Sequence, residues 1–371
     1  MDFAYSEEQR MLTDSLRRLV TDNWTYAKRR ERQRAGQLDQ GAWNSLVELG
    51  MGGLLVPQDF GGFGESPATM LVVHYELGRG LVSEPAISSS VMGVTLLANS
   101  TNEALKAQWL TAHAEGEAVL AVAWQEAGER YALRPLCTHA TASAEGYTLD
   151  GRKVLVWHAA ASQALIVSAL LDGEMALFLV PSDAQGLSIA DYPTFDGSRA
   201  STVTLERVSV ARAQLIAQGE QAHALMTQAL DFGITALCAQ ACGAMQALTD
   251  ITIQYLKTRK QFGQPLANFQ VLQHRLADML THAEMALSST YVAAAALDEK
   301  DAAKRSRLVS MAKVEVAAAG RFVGESAVQL HGGMGMTDEL EVGDYFKSLS
   351  FADQLLGDTN FHLQRMQDLG N

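Results

Sequence analysis

The chain has 371 residues, is 48% hydrophobic and 19% charged, and carries a formal net charge of −13. That balance describes a globular chain long enough for roughly two or three domains, and it excludes a disordered one. The acidic excess argues against nucleic acid or an anionic membrane as the main partner, yet leaves room for a small anion held by a local basic site. No apolar run reaches the about 18 residues of a membrane-crossing helix. The opening MDFAYSEEQR carries acids and lacks a signal-type apolar core. A cytoplasmic protein without a membrane partner is therefore expected. The three cysteines, Cys137, Cys238 and Cys242, agree with a reducing compartment. Cys238 and Cys242 stand one helical turn apart with no further ligand nearby, so buried thiols are expected and no metal.

Residues 1–118 read as helical. Met11, Leu12, Leu16, Leu19 and Val20 follow a helical rhythm, and Ser6 with the acids after it marks a helix start. AWNSLVELG is a helix closed by glycine, and ATMLVVHYELGRGL and EALKAQWLTAHAEG are two more. Residues 119–216 change character. AVLAVAW, YTLDGRKVLVW, ALIVSALL, MALFLVP and STVTLERVSV are strand-like runs, separated by Glu145–Gly146, Asp150–Gly151, Asp172–Gly173 and Asp196–Gly197. This pattern predicts a small antiparallel β domain. Residues 217–371 return to helix, broken at 261–265 and at 331–335, with a last short helix starting near Thr359. No internal repeat is evident.

Two stretches carry chemistry. YLKTRKQFGQPLANFQ sets Lys257, Arg259 and Lys260 beside Phe262–Gly263 at a helix break. Cations near a helix C-terminus complement its dipole, which is one reading of them. A guanidinium next to a glycine that admits close backbone approach can also bind a pyrophosphate. The second stretch, QLHGGMGM from Gln329, is either a C-cap and turn or a ligand loop; it is not a Rossmann turn, since no strand precedes it. Together, R-x-x-F-G…FQ…LADM and Q-L-H-G-G-x-G resemble the acyl-CoA dehydrogenase family. MDFAYSEEQ, ELGMGGLLVPQDFGGFG and YELGRG look like its N-terminal landmarks, so the resemblance covers essentially the whole chain.

The resemblance implies a mainly α fold with a central β domain: N-terminal helices (1–118), an antiparallel β domain (119–216) and a C-terminal four-helix bundle (217–371). It implies FAD, an acyl-CoA substrate, a dimer or dimer of dimers, and an electron-transferring flavoprotein as acceptor. By resemblance Arg259 would hold the pyrophosphate of an FAD whose flavin ring sits in the neighbouring subunit. Gln261, Phe262, Leu266, Phe269 and Leu272 would line the nucleotide, Gln329 and Gly333 would meet its ADP part, and Thr359 would be a further cofactor contact. The family's chemistry removes an α-proton with a carboxylate in a dry pocket while hydride leaves to the flavin.

The chain departs from that pattern. The family's E-G-T segment reads Leu356-Gly357-Asp358-Thr359, which puts Gly357 at the glutamate position, and the alternative base position falls at Gly233. Asp358 is the candidate base, with a helix cap as its other reading, and Asp231 is a weaker candidate. The T-E-P loop appears as Gln125-Glu126-Ala127, and the W-I-T strand as Leu155-Val156-Trp157. The chain thus resembles the small or partner subunits of heteromeric α2β2 enzymes, such as those for pimeloyl-CoA or steroid fragments. Alternatives are a self-contained homo-oligomer using Asp358, a non-catalytic CoA-ester-binding subunit, or a flavin monooxygenase relative. Gly233, Ala236, Gly243 and Ala244 either leave room for a bulky acyl group or allow close helix packing.

Overall fold

Local sequence signals set most element ends. A computed structural model describes residues 5–370; the first four residues of the MDFAYSEEQ landmark, and Asn371, lie outside them. Ser6 caps α1 (Glu7–Asn23) in a reciprocal capping box with Gln9. α2 (Tyr26–Ala35), α3 (Gln40–Glu48) and α4 (Pro67–Arg79) follow. A π-helical stretch, Ala86–Gly93, runs into α5 (Val94–Ala98), and Asn102 caps α6 (Glu103–Ala114). The eight strands of the central sheet are β1 (Leu120–Ala123), β2 (His139–Ala142), β3 (Gly146–Trp157), β4 (Ala164–Leu171), β5 (Glu174–Pro181), β6 (Leu187–Pro193), β7 (Arg199–Ala211) and β8 (Leu215–Gln218). Beyond them come α7 (Glu220–Thr258), the short hairpin β9 (Lys260–Gln261) and β10 (Gln264–Pro265), α8 (Gln270–Ala296), α9 (Ala302–His331), α10 (Val342–Gln354) and α11 (Thr359–Asp368).

The chain divides into two compact units that interleave along the sequence, with the boundary inside α7. One takes the residues up to Glu31, Pro67–Val82 and everything from Ile234 onward; the other takes Arg32–Ser66 and Ser83–Gly233. In the second unit the sheet runs β6-β7-β3-β2-β4-β5-β8, with β1 added beside β4. It is mixed rather than purely antiparallel: β1 and β2 both pair parallel to β4. The long excursion through β2 and β3 lets the chain return in the same direction, which a two-residue turn cannot do. Asp172–Gly173, both at positive φ, make the tight β4–β5 turn that the sequence announces. Asp150–Gly151 instead lies within β3 at an irregularity in its pairing with β7, and a Cβ on Gly151 would run into Thr138.

In the first unit, α8 packs along α9, and α10 and α11 pack on α9 as well. α4 crosses α7 at a point where a Cβ on Gly78 would stand 1.9 Å from Gln240 O, and one on Gly243 the same 1.9 Å from Tyr75 O. Gly243 therefore serves close helix packing. Cys238 and Cys242 are buried on α7; burial pushes the Cys238 thiol up to about 12 and raises that of Cys242 as well. By length and composition α7 could cross a membrane, but 83% of its most apolar window is buried within the protein.

Candidate functional site

α7 ends where its last turn hands over to the hairpin. Arg259 N–H still donates to Tyr255 O at 2.8 Å, while Arg259 O accepts from Leu266 N–H at 2.9 Å and closes the hairpin on itself. Phe262 and Gly263 form the two-residue tip with φ of 51° and 80°, the geometry of a type I′ turn. The Phe262 ring is 90% exposed and meets Phe269 edge-on at 6.0 Å. α8 then starts without a side-chain cap. From the other side α9 ends at His331, where Gly332 takes φ 60° and a short 3₁₀ turn, Gly332–Met336, follows. Tyr255 ties the two ends together: its hydroxyl donates to His331 O at 3.3 Å, and the rings stack at 4.3 Å.

These ends enclose an open groove of about 880 Å³. Of the nine residues expected at a cofactor, Arg259, Gln261, Leu266, Leu272, Gln329 and Gly333 line it together. Phe262 and Phe269 form the hairpin flank and are not among the lining residues. Thr359 is not among them either: its N–H and hydroxyl both donate to Asp353 Oδ1, at 3.2 and 2.8 Å. The groove also holds Val271 and Arg275, which lie outside the quoted motifs, and Tyr255, His331 and Met334, which lie inside the quoted stretches without being expected as contacts. Val271, Leu272 and Arg275 share a helical face by their spacing, a signal available once α8 is known to border the site.

Tyr255 and Gln261 are hydrogen-bonded within the groove wall, but other polar groups of the groove are unspent. Neither Arg259 nor Arg275 pairs with an acid among the described residues. His331 is 3% exposed; its Nδ1–H donates to Ala327 O at 2.8 Å and its Nε2 has no partner. Burial lowers the His331 pKa, so Nε2 is an acceptor without a donor. A Cβ at Gly332 or Gly333 would meet nothing within 4 Å, so the backbone there is open to a ligand.

The turn at 355–358 is the reverse. Gly357 has φ 115°, and a Cβ there would stand 2.5 Å from His362 Nε2 and 2.6 Å from Phe361 Cδ1. Lys313, buried on α9, donates to Ala352 O, Asp353 O and Gly357 O at 2.8, 2.9 and 2.9 Å. His362 Nε2–H donates to Leu356 O at 3.2 Å, so its Nδ1 accepts from Ser310 Oγ at 3.1 Å. Asp358 is the N-cap of α11, its Oδ1 accepting from Phe361 N–H at 2.8 Å, as the cap reading of that residue has it. Asp231 and Gly233 are buried within α7.

In the other unit, Glu126 turns inward. It accepts from the N–H groups of Leu136, Cys137 and Thr138 and from Lys153 Nζ at 2.8 Å, and Lys153 also donates to Ser168. Burial alone would raise the Glu126 pKa, but the Lys153 hydrogen bond and the N–H donors outweigh it and bring it to about 2. Burial in turn pushes Lys153 down to about 8. Leu155 adopts φ 52°, with its N–H donating to Tyr192 OH at 3.2 Å.

Comparison with known proteins fits this geometry. Residues 6–117 match the N-terminal domain of acyl-CoA dehydrogenases, and residues 223–368 match their C-terminal domain. The chain belongs to the acyl-CoA dehydrogenase family. It is 29% identical to a 3-(aryl)acrylate reductase from Clostridium sporogenes, over 82% of this chain and 83% of that protein. Among solved structures, a variant of the Tcur3481–Tcur3483 steroid ACAD superposes with a TM-score of 0.88 at 29% identity, covering 98% and 97% of the two chains. The ChsE4–ChsE5 complex from Mycobacterium tuberculosis does so at 0.90 and 25%, covering 99% and 98%.

Acyl-CoA dehydrogenases are FAD-dependent oxidoreductases acting on the CH–CH group of an acyl-CoA. The groove suits the ADP half of that cofactor in charge and in donor set. It offers unpaired guanidiniums to a diphosphate, an unspent acceptor at His331 to a hydroxyl or amino donor, and glycine backbone at the approach. Its volume lies within the roughly 300–1,000 Å³ of ordinary small-molecule sites.

Proposed function

We propose that this chain is one subunit of a heteromeric FAD-dependent acyl-CoA dehydrogenase, contributing the ADP side of an FAD site whose base and flavin-ring contacts come from a second chain. The observation that carries this is the contrast within one unit between the open groove and Gly357. At the position where the family's E-G-T segment would supply a glutamate, Gly357 has positive φ, and a side chain there would have to displace Phe361 and His362. The nearest carboxylate in sequence, Asp358, is occupied as a cap. The base-bearing half of the chemistry is missing here while the nucleotide-bearing half is present.

FAD, when bound, would supply the hydride acceptor. This chain's own part is to fix the diphosphate with Arg259 and to hold the adenosine end against Gln329, Gly333 and Leu272. Fixing the remote end of a cofactor lowers the entropic cost of placing its reacting end. The likeness to a steroid ACAD and to a two-component ChsE4–ChsE5 complex supports a bulky CoA thioester as substrate and a heteromer as the working assembly. An electron-transferring flavoprotein is the acceptor this reading entails.

The test is to express the chain alone and together with a second acyl-CoA dehydrogenase chain from the same source. Bound flavin is measured by its visible spectrum, and turnover with CoA thioesters of increasing bulk. The expected result is a nearly colourless, inactive single chain that becomes yellow and active with its partner. A single chain that purifies with stoichiometric FAD and full dehydrogenase turnover overturns the proposal.

A further inference from the structure

The motifs account for one guanidinium in the groove, and the structure holds two. Arg275 lies on α8 one turn beyond Val271 and Leu272, and all three line the same groove as Arg259. The two arginines reach it from different elements, Arg259 from the end of α7 and Arg275 from the body of α8. Neither has an acid partner among the described residues, although acids outnumber bases by 42 to 29 in the chain. Two like charges facing one cleft repel each other, and an anion between them removes that repulsion.

A third group bears on the kind of anion. His331 Nε2 is an acceptor, buried in the groove wall and without a donor. An inorganic anion brings no donor to it, whereas a nucleotide brings ribose hydroxyls and a base amino group along with its phosphates. Gln329, exposed on the same wall, adds both a donor and an acceptor. The ligand that satisfies every unspent group is one with two adjacent phosphoryl groups and a donor-bearing nucleoside.

We infer that Arg275 is a second diphosphate contact, acting opposite Arg259, so that each guanidinium takes one phosphoryl group. This rests on the ADP-side reading of the groove given above. Planar guanidiniums bind phosphoryl oxygens in a bidentate fashion, which a lysine cannot reproduce.

The experiment uses the flavin-retaining assembly after its flavin has been stripped. Affinities for adenosine, AMP, ADP and FAD are measured by calorimetry, with flavin fluorescence as a second readout, for wild type, Arg275→Ala, Arg275→Lys and Arg259→Ala. Arg275 is exposed, and melting curves establish that each variant is folded. Arg275→Ala is expected to weaken ADP and FAD by about 10- to 100-fold, the range of a lost charged hydrogen bond. It should leave adenosine unchanged, and Arg275→Lys should recover only part of the loss. Equal weakening of adenosine, AMP and ADP would show that Arg275 packs on the base, and would overturn the inference; so would unchanged ADP affinity. If Arg259→Ala weakens FAD and Arg275→Ala does not, only the role of Arg275 falls. If neither does, the ADP-side reading of the groove falls with it.

Discussion

The groove between the ends of α7 and α9 and the turn between α10 and α11 lie in the same unit, yet they are built in opposite ways. In the groove, two exposed guanidiniums have no acid partner among the described residues, a buried imidazole nitrogen has no donor, and the glycine backbone has open space where a side chain would be. At the turn, a buried lysine gathers three carbonyls, an aspartate caps a helix, and the one residue without a side chain has no room for one. Unspent polarity is costly for a fold and is kept where a ligand completes it; satisfied polarity serves the fold itself. A family motif can therefore survive in sequence on one side of a site while the other side has become structural.

That contrast can be broken from the closed side. The largest effect is expected at Glu126, the buried carboxylate that pairs with Lys153 in the other unit. Glu126→Gln should destabilise the protein by about 3–5 kcal/mol, because it leaves the Lys153 charge buried without its counter-ion. Denaturant titration of the folded baseline measures it. The same pair gives a pH signature. Glu126 is held at about 2 against an ordinary 4.5, so its contribution is fully present above pH 4.5 and is lost as pH falls from there toward 2. In Glu126→Gln that acid-sensitive step should vanish from a pH series of melting temperatures.

A smaller effect tests the turn directly. Gly357→Glu restores the family's residue type, but it must adopt positive φ and displace Phe361 and His362. About 1–3 kcal/mol of destabilisation is expected, with no gain in flavin reduction by substrate. Substrate-dependent bleaching of bound flavin in this variant would show that the turn is still a working base site. The smallest effect is at Asp358. Asp358→Ala should cost about 1 kcal/mol as a lost cap, and Asp358→Asn much less. Both should leave flavin reduction in the complete assembly unchanged; if Asp358→Asn abolishes it, Asp358 is the base after all.

Much of the architecture was legible because local and global signals agree. The Ser6 capping box, the Asp172–Gly173 turn and the long apolar stripe of α7 each name their structure from neighbouring residues alone. The stretch Ala86–Gly93 gave no such signal, since it is π-helical and buried on every side, which erases periodicity. β2, β6 and β8 are short or largely exposed, and α10 (VGDYFKSLSFADQ) mixes polar and apolar residues along its length, so none of them stood out. In the candidate site, six of the cofactor residues come together because the hairpin and the end of α9 are local motifs. Arg275 and Tyr255 were not legible, because their membership depends on which faces of α7 and α8 turn toward the end of α9. Thr359 matches the threonine of the family segment, but here its N–H and hydroxyl are engaged by Asp353.

The hairpin tip has a consequence of its own. A phenylalanine at φ 51°, beside a glycine at φ 80°, occupies a region that L-residues seldom enter, and the cross-strand pairing of Gln261 with Gln264 holds it there. The ring is thus presented on a backbone that has already surrendered its freedom. Anything that settles over Phe262 gains an aromatic surface without having to order the loop that carries it, the advantage of a preorganised contact over one that must fold on arrival.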